Sequence, residues 1–485
     1  VGADSRLWYR RTFEVPAAWR SQRTLLHFGA VDWRCEVLID GKKVGEHQGG
    51  YDPFTFDISD ALAESSDDEA ESLRRYELVV AVFDPTDAGP QPRGKQVARP
   101  GGIWYTPVTG IWQTVWIEPV PQASIAGIRI DSSRQDRTAT FTATIRGDVD
   151  ASDLTLHVSV DEGPPAVAGA ANGAVSLEFD QVRPWSPADP HLYDVTVELR
   201  DGDQVLDSVQ SYFGIRSIDV AADENGIPRI RLNGEPIFLF GPLDQGWWPD
   251  GLYTAPTDEA LQYDLLVTQQ AGFNLVRKHV KVEPERWYAH CDRMGLIVWQ
   301  DMPNGDTNAR WPWDGTELER TDESRQIFEQ ELQAMVEARR HHPCIVAWVP
   351  FNEAWGQFDT VGQTERLRLL DPTRLIISAS GGNDFGVGDV HDIHNYPGPE
   401  APPAERLRAA VLGEYGGLGL PLAGHTWQDE ANWGYRSFTS TEELQRNYLE
   451  FIDQLRPMIE SRLAAAIYTQ TTDVEVEVNG LMTYD

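Results

Sequence analysis

From Leu7 to about Val120 apolar and polar positions alternate in short runs, LWYRRTFEV, TLLHFGAVD, RCEVLIDGKKVG, YELVVAVFD and IWQTVWIEPV, each bounded by turn residues. A period of two places one face of each run in a core and the other in water, which predicts an all-β domain. Asp40-Gly41 stands between two such runs, a strong hairpin signal because a two-residue turn needs positive φ at both positions. From Ser124 to about Gly214 come IAGIRIDS, TATFTATIRG, LTLHVSVDEG, AVSLEFD, HLYDVTVELRDGD and DSVQSYFG, with turns about every 8 to 12 residues. That spacing predicts a small β-sandwich. After Gly226 the period changes. The runs PIFLFG, FNLVRKH, GLIVWQDMP, CIVAWVPFNE, RLIISAS, DVHDIHNY, AAVLGEY and AAAIYTQ alternate with helical patterns such as DEALQYDLLVTQQ, PERWYAHCDRM, RQIFEQELQAMVEARR and EELQRNYLEFIDQL. Eight strands each followed by a helix predict a (β/α)8 TIM barrel. The expected division is residues 1–121, 122–217 and 218–485, two β domains followed by an α/β domain.

The length, 485 residues, agrees with about three domains. Lysine and arginine number 41 against 76 acids, a net charge of −35, which repels phosphate backbones and anionic lipid and excludes nucleic acid as a partner. No apolar run is long enough to span a membrane. The chain starts at Val1 without a charged-then-apolar leader, which points to a processed or trimmed product and leaves localisation unknown. Cys35, Cys291 and Cys344 are too few and too far apart for a disulfide framework or a CxxC metal site. The run DALAESSDDEAE from Asp60 to Glu71 holds six acids without a core pattern and reads as a solvated loop. Seventeen tryptophans and fifteen tyrosines in so acidic a chain suit carbohydrate, whose CH groups stack on rings, although most large aromatics serve as core.

Barrels of this kind carry chemistry at the C-terminal ends of their strands. Those ends hold Arg277 and His279, Asp301, Asn352 and Glu353, His394, Asn395 and Tyr396, and Glu414. Glu353 follows VAWVPFN and Glu414 follows AAVLG, apolar strands in which an unpaired charge is costly, so each is paired, protonated or in use. Strands four and seven face each other across a barrel mouth, where two carboxylates can flank one glycosidic bond. One would act as an acid of raised pKa and the other as an ionised nucleophile. Simple pairing with Arg277 or Lys278 is the competing explanation.

The stretches NLVRKH, FNEAWG, HNYP and LGEYGG in this order, after a YFGIRSI junction, resemble glycoside hydrolase family 2. GGYDPFTFDIS, VFDPTDAGPQPRGKQ and GGIWYTPVTGIWQTVWIE resemble its sugar-binding jelly roll, so the likeness spans essentially the whole chain. The resemblance implies a jelly roll, an immunoglobulin-like β-sandwich and a catalytic barrel, retention at the anomeric carbon and exo action on a terminal β-sugar without a cofactor. It further implies that Glu353 is the acid/base and Glu414 the nucleophile, and that Asn352 binds the sugar 2-hydroxyl. Tyr396 would orient Glu414, with Arg277 beside it. His279, Asp301 and His394 would bind sugar hydroxyls. Asp84 would reach from the jelly roll into the barrel mouth, and Trp247, Trp248 and Trp355 would be stacking platforms or pocket walls.

Where many family members end strand eight with a tryptophan that floors the sugar site, this chain has IYTQTTDVEVEVNG, which hands that place to Tyr468 or Gln470. No Asn-x-Lys pair for gripping a glucuronide follows strand eight. The expected substrate is therefore an oligosaccharide or glycoside of β-galactosidase type. A furanoside (β-galactofuranoside or α-L-arabinofuranoside), a β-mannoside and a β-glucuronide are the alternatives, and a silent carbohydrate-binding protein is the non-enzymatic one. A homo-oligomer is left open. Retention predicts carboxylates about 5 to 5.5 Å apart, and an inverting or endo-acting enzyme about 6.5 to 9.5 Å. His391 and His394 mimic a metal spacing, but residues three apart on a strand face opposite ways, so no metal site is assigned. His341-His342-Pro343 reads as a helix stop, and the GGND and GVGD glycines lack the context of a nucleotide loop.

Overall fold

A computed structural model describes residues 2, 4–19, 21–63, 74–307 and 309–485. In the N-terminal sandwich, Leu7–Val15, Arg74–Phe83, Arg34–Ile39 and Lys42–Gln48 form one antiparallel sheet in that order. Phe54–Asp57, Arg23–Phe28 and Val115–Val120 form the facing one. The inward positions of the alternating runs, among them Leu26, Phe28, Val37, Ile39, Val80 and Val82, meet between the sheets. Ile39 pairs with Lys42 across the Asp40-Gly41 turn, whose φ angles of 46° and 80° are the positive values that the sequence signalled. The acidic run opens as a short helix, Ser59–Ala63, rather than a loop, and its residues 64–71 lie outside the described residues.

The second sandwich packs Ser124–Ser133, Thr138–Arg146 and Ala174–Glu178 against Val167–Ala170, Thr155–Val160, Tyr193–Asp201 and Gln204–Phe213. Phe141, Phe179, Tyr193 and Phe213 fill its centre. The junction that follows anchors it to the next domain. Buried Arg216 donates to the carbonyls of Pro343 (3.1 Å), Ile345 (2.6 Å) and Thr373 (2.9 Å).

All eight predicted barrel strands form: β1 (Leu239–Asp244), β2 (Leu275–Lys278), β3 (Ile297–Asp301), β4 (Ile345–Val349), β5 (Leu375–Ile376), β6 (Val390–His394), β7 (Ala409–Gly416) and β8 (Leu463–Thr469). They lie parallel in the order β5-β4-β3-β2-β1-β8-β7-β6. The seam between β5 and β6 has no strand ladder and is stitched by Asp389, whose backbone and carboxylate bond Ile376 at 2.9 and 2.7 Å. The helices are α1 (Asp258–Gln270), α2 (Glu285–Met294), α3 (Asp322–Arg339), α4 (Thr360–Leu370) and α5 (Thr441–Ser461). Thr257, Thr321 and Ser440 cap α1, α3 and α5 by accepting a backbone N–H. The expectation of a helix after every strand is corrected here: among the described residues none follows β5, β6 or β8. The segments after β5 and β6, SASGGNDFGVGD and NYPGPEAPPAE, carry five glycines and four prolines, which are poor or impossible inside a helix. Among the described residues no helix is long and apolar enough to cross a membrane.

The N-terminal sandwich docks on the barrel. Trp33 Nε1 donates to Glu331 of α3 at 2.9 Å, and Trp247 Nε1, beyond β1, donates to the Thr106 carbonyl at 3.2 Å. The backbone N–H groups of Arg93 and Gly94 donate to the Asn304 carbonyl at 3.0 and 2.9 Å. Gly94 has φ +60°, and a Cβ there would lie 2.5 Å from the Val280 carbonyl, so this close approach of two domains needs glycine.

Candidate active site

Glu353 and Glu414 come to one place from β4 and β7. The chain leaves β4 as Pro350-Phe351-Asn352-Glu353, with Glu353 in the left-handed region at φ 56° and its N–H donating to the Ser380 carbonyl (2.7 Å). A glutamate held there, unlike glycine or asparagine, is strained, a cost concentrated at functional positions. Between the two carboxylates stands His394, at the end of β6, with Nδ1 3.3 Å from Glu353 Oε1 and 3.5 Å from Glu414 Oε2. One carboxylate oxygen of each glutamate and a ring nitrogen of His394 all lie within 4.8 Å of one another. Ser380 Oγ meets the other ring nitrogen at 2.9 Å, which fixes the ring.

Arg277 lies fully buried beneath this group. It donates to both oxygens of Asp301 (Nε at 3.1 and 3.2 Å), to Asn352 Oδ1 (2.9 Å) and to Glu414 Oε1 (3.2 Å). Tyr396 donates its hydroxyl to Glu414 Oε2 (2.7 Å), meets Thr469 Oγ1 at 2.6 Å and stacks on Tyr435 with centroids 3.6 Å apart. Glu353 Oε2 accepts from Trp311 Nε1 at 3.1 Å.

Burial acts most strongly on both glutamates and pushes their pKa values up. The nearby cations outweigh it: His394 for Glu353, and His394 and Arg277 for Glu414, so both lie below the ordinary 4.5. His394 responds in the opposite sense: burial lowers it, but Glu414, Glu353 and Asp392 hold it above 6.5. The expected acid of raised pKa is thus corrected for the ligand-free site, where the imidazolium keeps both carboxylates ionised. The same three donors are close enough to hold a cation, but His394 and Arg277 already supply positive charge there.

Simple pairing accounts for one glutamate only: Glu414 meets Arg277 at 3.2 Å. Lys278 points to the far side of β2, onto Asp244 (2.6 Å) and Glu283 (2.8 Å), and Glu353 pairs with neither base. Of the residues expected to bind sugar hydroxyls, Asp301 is fully buried and ion-paired to Arg277 at 2.9 Å, and buried His279 has Nδ1 3.1 Å from Asp301 and 3.9 Å from Glu414. Burial, reinforced by Lys95, holds His279 far below 6.5 and therefore neutral. Trp355 is buried beside Glu353, its ring 5.2 Å from Trp104 and 6.2 Å from Trp311.

Three further expectations need correcting. Asp84 does not reach the mouth; it accepts from Thr86 N–H (2.7 Å) and Thr109 Oγ1 (2.8 Å) inside its own sandwich, and burial raises its pKa. The reach across is made by the turn around Gly94. Trp247 packs between Tyr105 and Tyr253, and Trp248 lines a groove of about 780 Å³ with Tyr263, Met482 and Tyr484, among whose lining residues neither catalytic candidate occurs. Tyr468 is not a floor: it packs edge-on against Tyr415 and Tyr448 of α5, because strand neighbours face opposite ways and Thr469 takes the inward place. Gln470 is buried against Asn479 (2.7 Å). His391 lies in a separate cluster with Glu405 (2.9 Å) and Asp384, as its offset of three from His394 implies.

Sequence reading missed Trp104, Trp311, Tyr435, Lys95 and Ser380. Only Ser380, closing the run RLIISAS, had a strand-end signal; the others sit on loops whose direction depends on the rest of the fold.

Glycosyl hydrolases family 2 profiles match in three places: the sugar binding domain over residues 2–76, the family 2 domain over 111–216 and the TIM barrel domain over 250–422. The chain belongs to this family. A beta-galactosidase of Thermoanaerobacter pseudethanolicus is 27% identical over 377 residues, covering 73% of this chain and 45% of that protein. A putative beta-glucuronidase of Formosa agariphila is 27% identical over 388 residues, covering 77% of this chain and 34% of that protein. The chain therefore spans less than half the length of these curated relatives. The Ruminococcus gnavus beta-glucuronidase structure superposes with a TM-score of 0.76 at 19% identity, over 99% of this chain and 86% of that one, and so shares the fold.

Proposed function

We propose that the chain carries a retaining, exo-acting β-glycosidase activity of β-galactosidase type, with Glu414 as nucleophile and Glu353 as acid/base. The observation that carries this reading is that an oxygen of each carboxylate lies within 4.8 Å of the other and of a His394 ring nitrogen, so both glutamates can flank one bond. Glu414, ionised and oriented by Arg277 and Tyr396, attacks the anomeric carbon while Glu353 gives a proton to the departing oxygen. Glu353 then takes a proton from water, which displaces Glu414 and restores the configuration. Bound substrate would cover the 21% of the Glu353 side chain that is exposed, and added burial shifts its pKa upward, toward the protonated form the first step needs. Asn352, held by Arg277, is the proposed partner of the sugar 2-hydroxyl.

The reading is tested by nitrophenol release from β-galacto-, β-gluco-, β-manno- and β-glucurono-pyranosides, β-galactofuranoside and α-L-arabinofuranoside, with Glu414→Ala as control. Cleavage of one sugar that vanishes in the control supports it and names the sugar. Activity of Glu414→Ala within tenfold of wild type would exclude Glu414 as nucleophile.

A further inference from the structure

The turn from Gln91 to Gln96 leaves the N-terminal sandwich and lies against the chain just beyond β2 and β3, pinned there by the Asn304 carbonyl. Its two cations differ in what they do. Arg93 is engaged: its guanidinium donates to the Gln96 carbonyl (2.6 Å) and lies over the rings of Trp104 (5.3 Å) and Trp355 (5.5 Å). Lys95 is only 8% exposed, yet among the described residues its ammonium has neither a hydrogen bond nor an ion pair. Its contact is the face of Tyr105 at 5.7 Å, and the Tyr105 hydroxyl donates to Glu477 (2.5 Å) beyond β8. The turn lies beside the carboxylate pair, since Trp355 under Arg93 adjoins Glu353, and the charge of Lys95 favours the ionised forms of Glu353 and Glu477 and the neutral form of His279.

The stem is buried while the ammonium itself stays open to solvent with no acceptor among the described residues, so it is free to donate to a ligand oxygen. We propose that Lys95 is a specificity residue whose ammonium donates to an acceptor oxygen of the substrate's sugar, so that the N-terminal sandwich reads the substrate beside the carboxylate pair. A hydroxyl or a sugar carboxylate offers that oxygen. The inference rests on the glycosidase reading.

The test compares Glu414→Ala with the double variant Glu414→Ala/Lys95→Met, which keeps the stem and removes the charge. Both are titrated calorimetrically with 4-nitrophenyl β-D-galactoside, its monodeoxy analogues and 4-nitrophenyl β-D-glucuronide, and their thermal unfolding is recorded. The expected result is at least tenfold weaker binding with Tm unchanged, since the ammonium makes no protein hydrogen bond to lose. A loss confined to the glucuronide assigns the oxygen to a carboxylate. A loss on the galactoside that disappears for one deoxy analogue assigns it to that hydroxyl. A change of twofold or less, an equal loss across the deoxy series, or a Tm lowered by several degrees makes Lys95 a structural counter-ion and overturns the proposal. If the wild type also cleaves no glycoside and Glu414→Ala binds none, the glycosidase reading falls and takes this one with it. Cleavage by the wild type with unaltered affinity in the Lys95 variant sinks the Lys95 inference alone.

Discussion

At the scale of single residues, the carboxylate pair is governed by what surrounds it rather than by its own chemistry. The Tyr396 hydroxyl is the shortest donor to Glu414, at 2.7 Å, and in the proposed mechanism it steers that carboxylate. Tyr396→Phe should lower kcat/KM by about 10²–10³ with little change in Tm, the size typical of losing one oriented donor; kinetics on the best substrate with parallel melting curves check this. His394 holds both glutamates below their ordinary 4.5. His394→Gln removes that cation, so both carboxylates become easier to protonate and the acid limb of the kcat/KM profile should move up by about one pH unit. An acid limb that stays in place would show that Arg277 alone sets it. The glutamates themselves were legible because a charge ending an apolar strand is conspicuous. His394 was legible only as a strand-end residue, since its place between two carboxylates depends on β4, β6 and β7 meeting.

At the scale of elements, periodicity located every barrel strand and most helices but could not say which face of β8 points inward. Tyr468 and Thr469 adjoin in sequence and face opposite sides, one toward Tyr448 of α5 and the other toward Tyr396. Tyr468→Phe should therefore leave KM within about twofold of wild type, whereas Thr469→Val, which removes the hydroxyl meeting Tyr396, should lower kcat; Michaelis kinetics on both variants decide it. A large KM rise in the phenylalanine variant would restore Tyr468 to the sugar site. The loops after β5 and β6 defeat a strict strand–helix alternation for a local reason, their glycine and proline content. The same loops carry Gly381, where a Cβ would stand 2.2 Å from the His394 ring, so the irregular segment makes room for that side chain.

At the scale of the whole molecule, the docking of the N-terminal sandwich against α3 carries its own titration. Burial, reinforced by Asp52, raises Glu331 to about 8, and one of its oxygens accepts from Trp33 across the interface. The folded chain keeps this proton up to about pH 8 while the unfolded chain releases it near 4.5, so the unfolded state binds fewer protons in between. Stability then falls as pH rises through that window, by about 5 kcal/mol for a shift of this size. Glu331→Gln should flatten the fall, which melting curves from pH 5 to 8.5 would read; a curve parallel to wild type would assign the dependence elsewhere. By itself the sequence determined the two β domains, the eight barrel strands, the catalytic candidates at their ends and the family, because these depend on periodicity and on residue type at positions a few residues apart. Only the tertiary structure decided that Asp84 stays in its own sandwich while the turn at Gly94 meets the barrel, that Asp301 pairs with Arg277 and His279 adjoins Glu414, and that Trp104 and Trp311 pack with Trp355 beside Glu353. Those are contacts between residues up to hundreds of positions apart, and their energetics, burial above all, do not exist until the domains have packed.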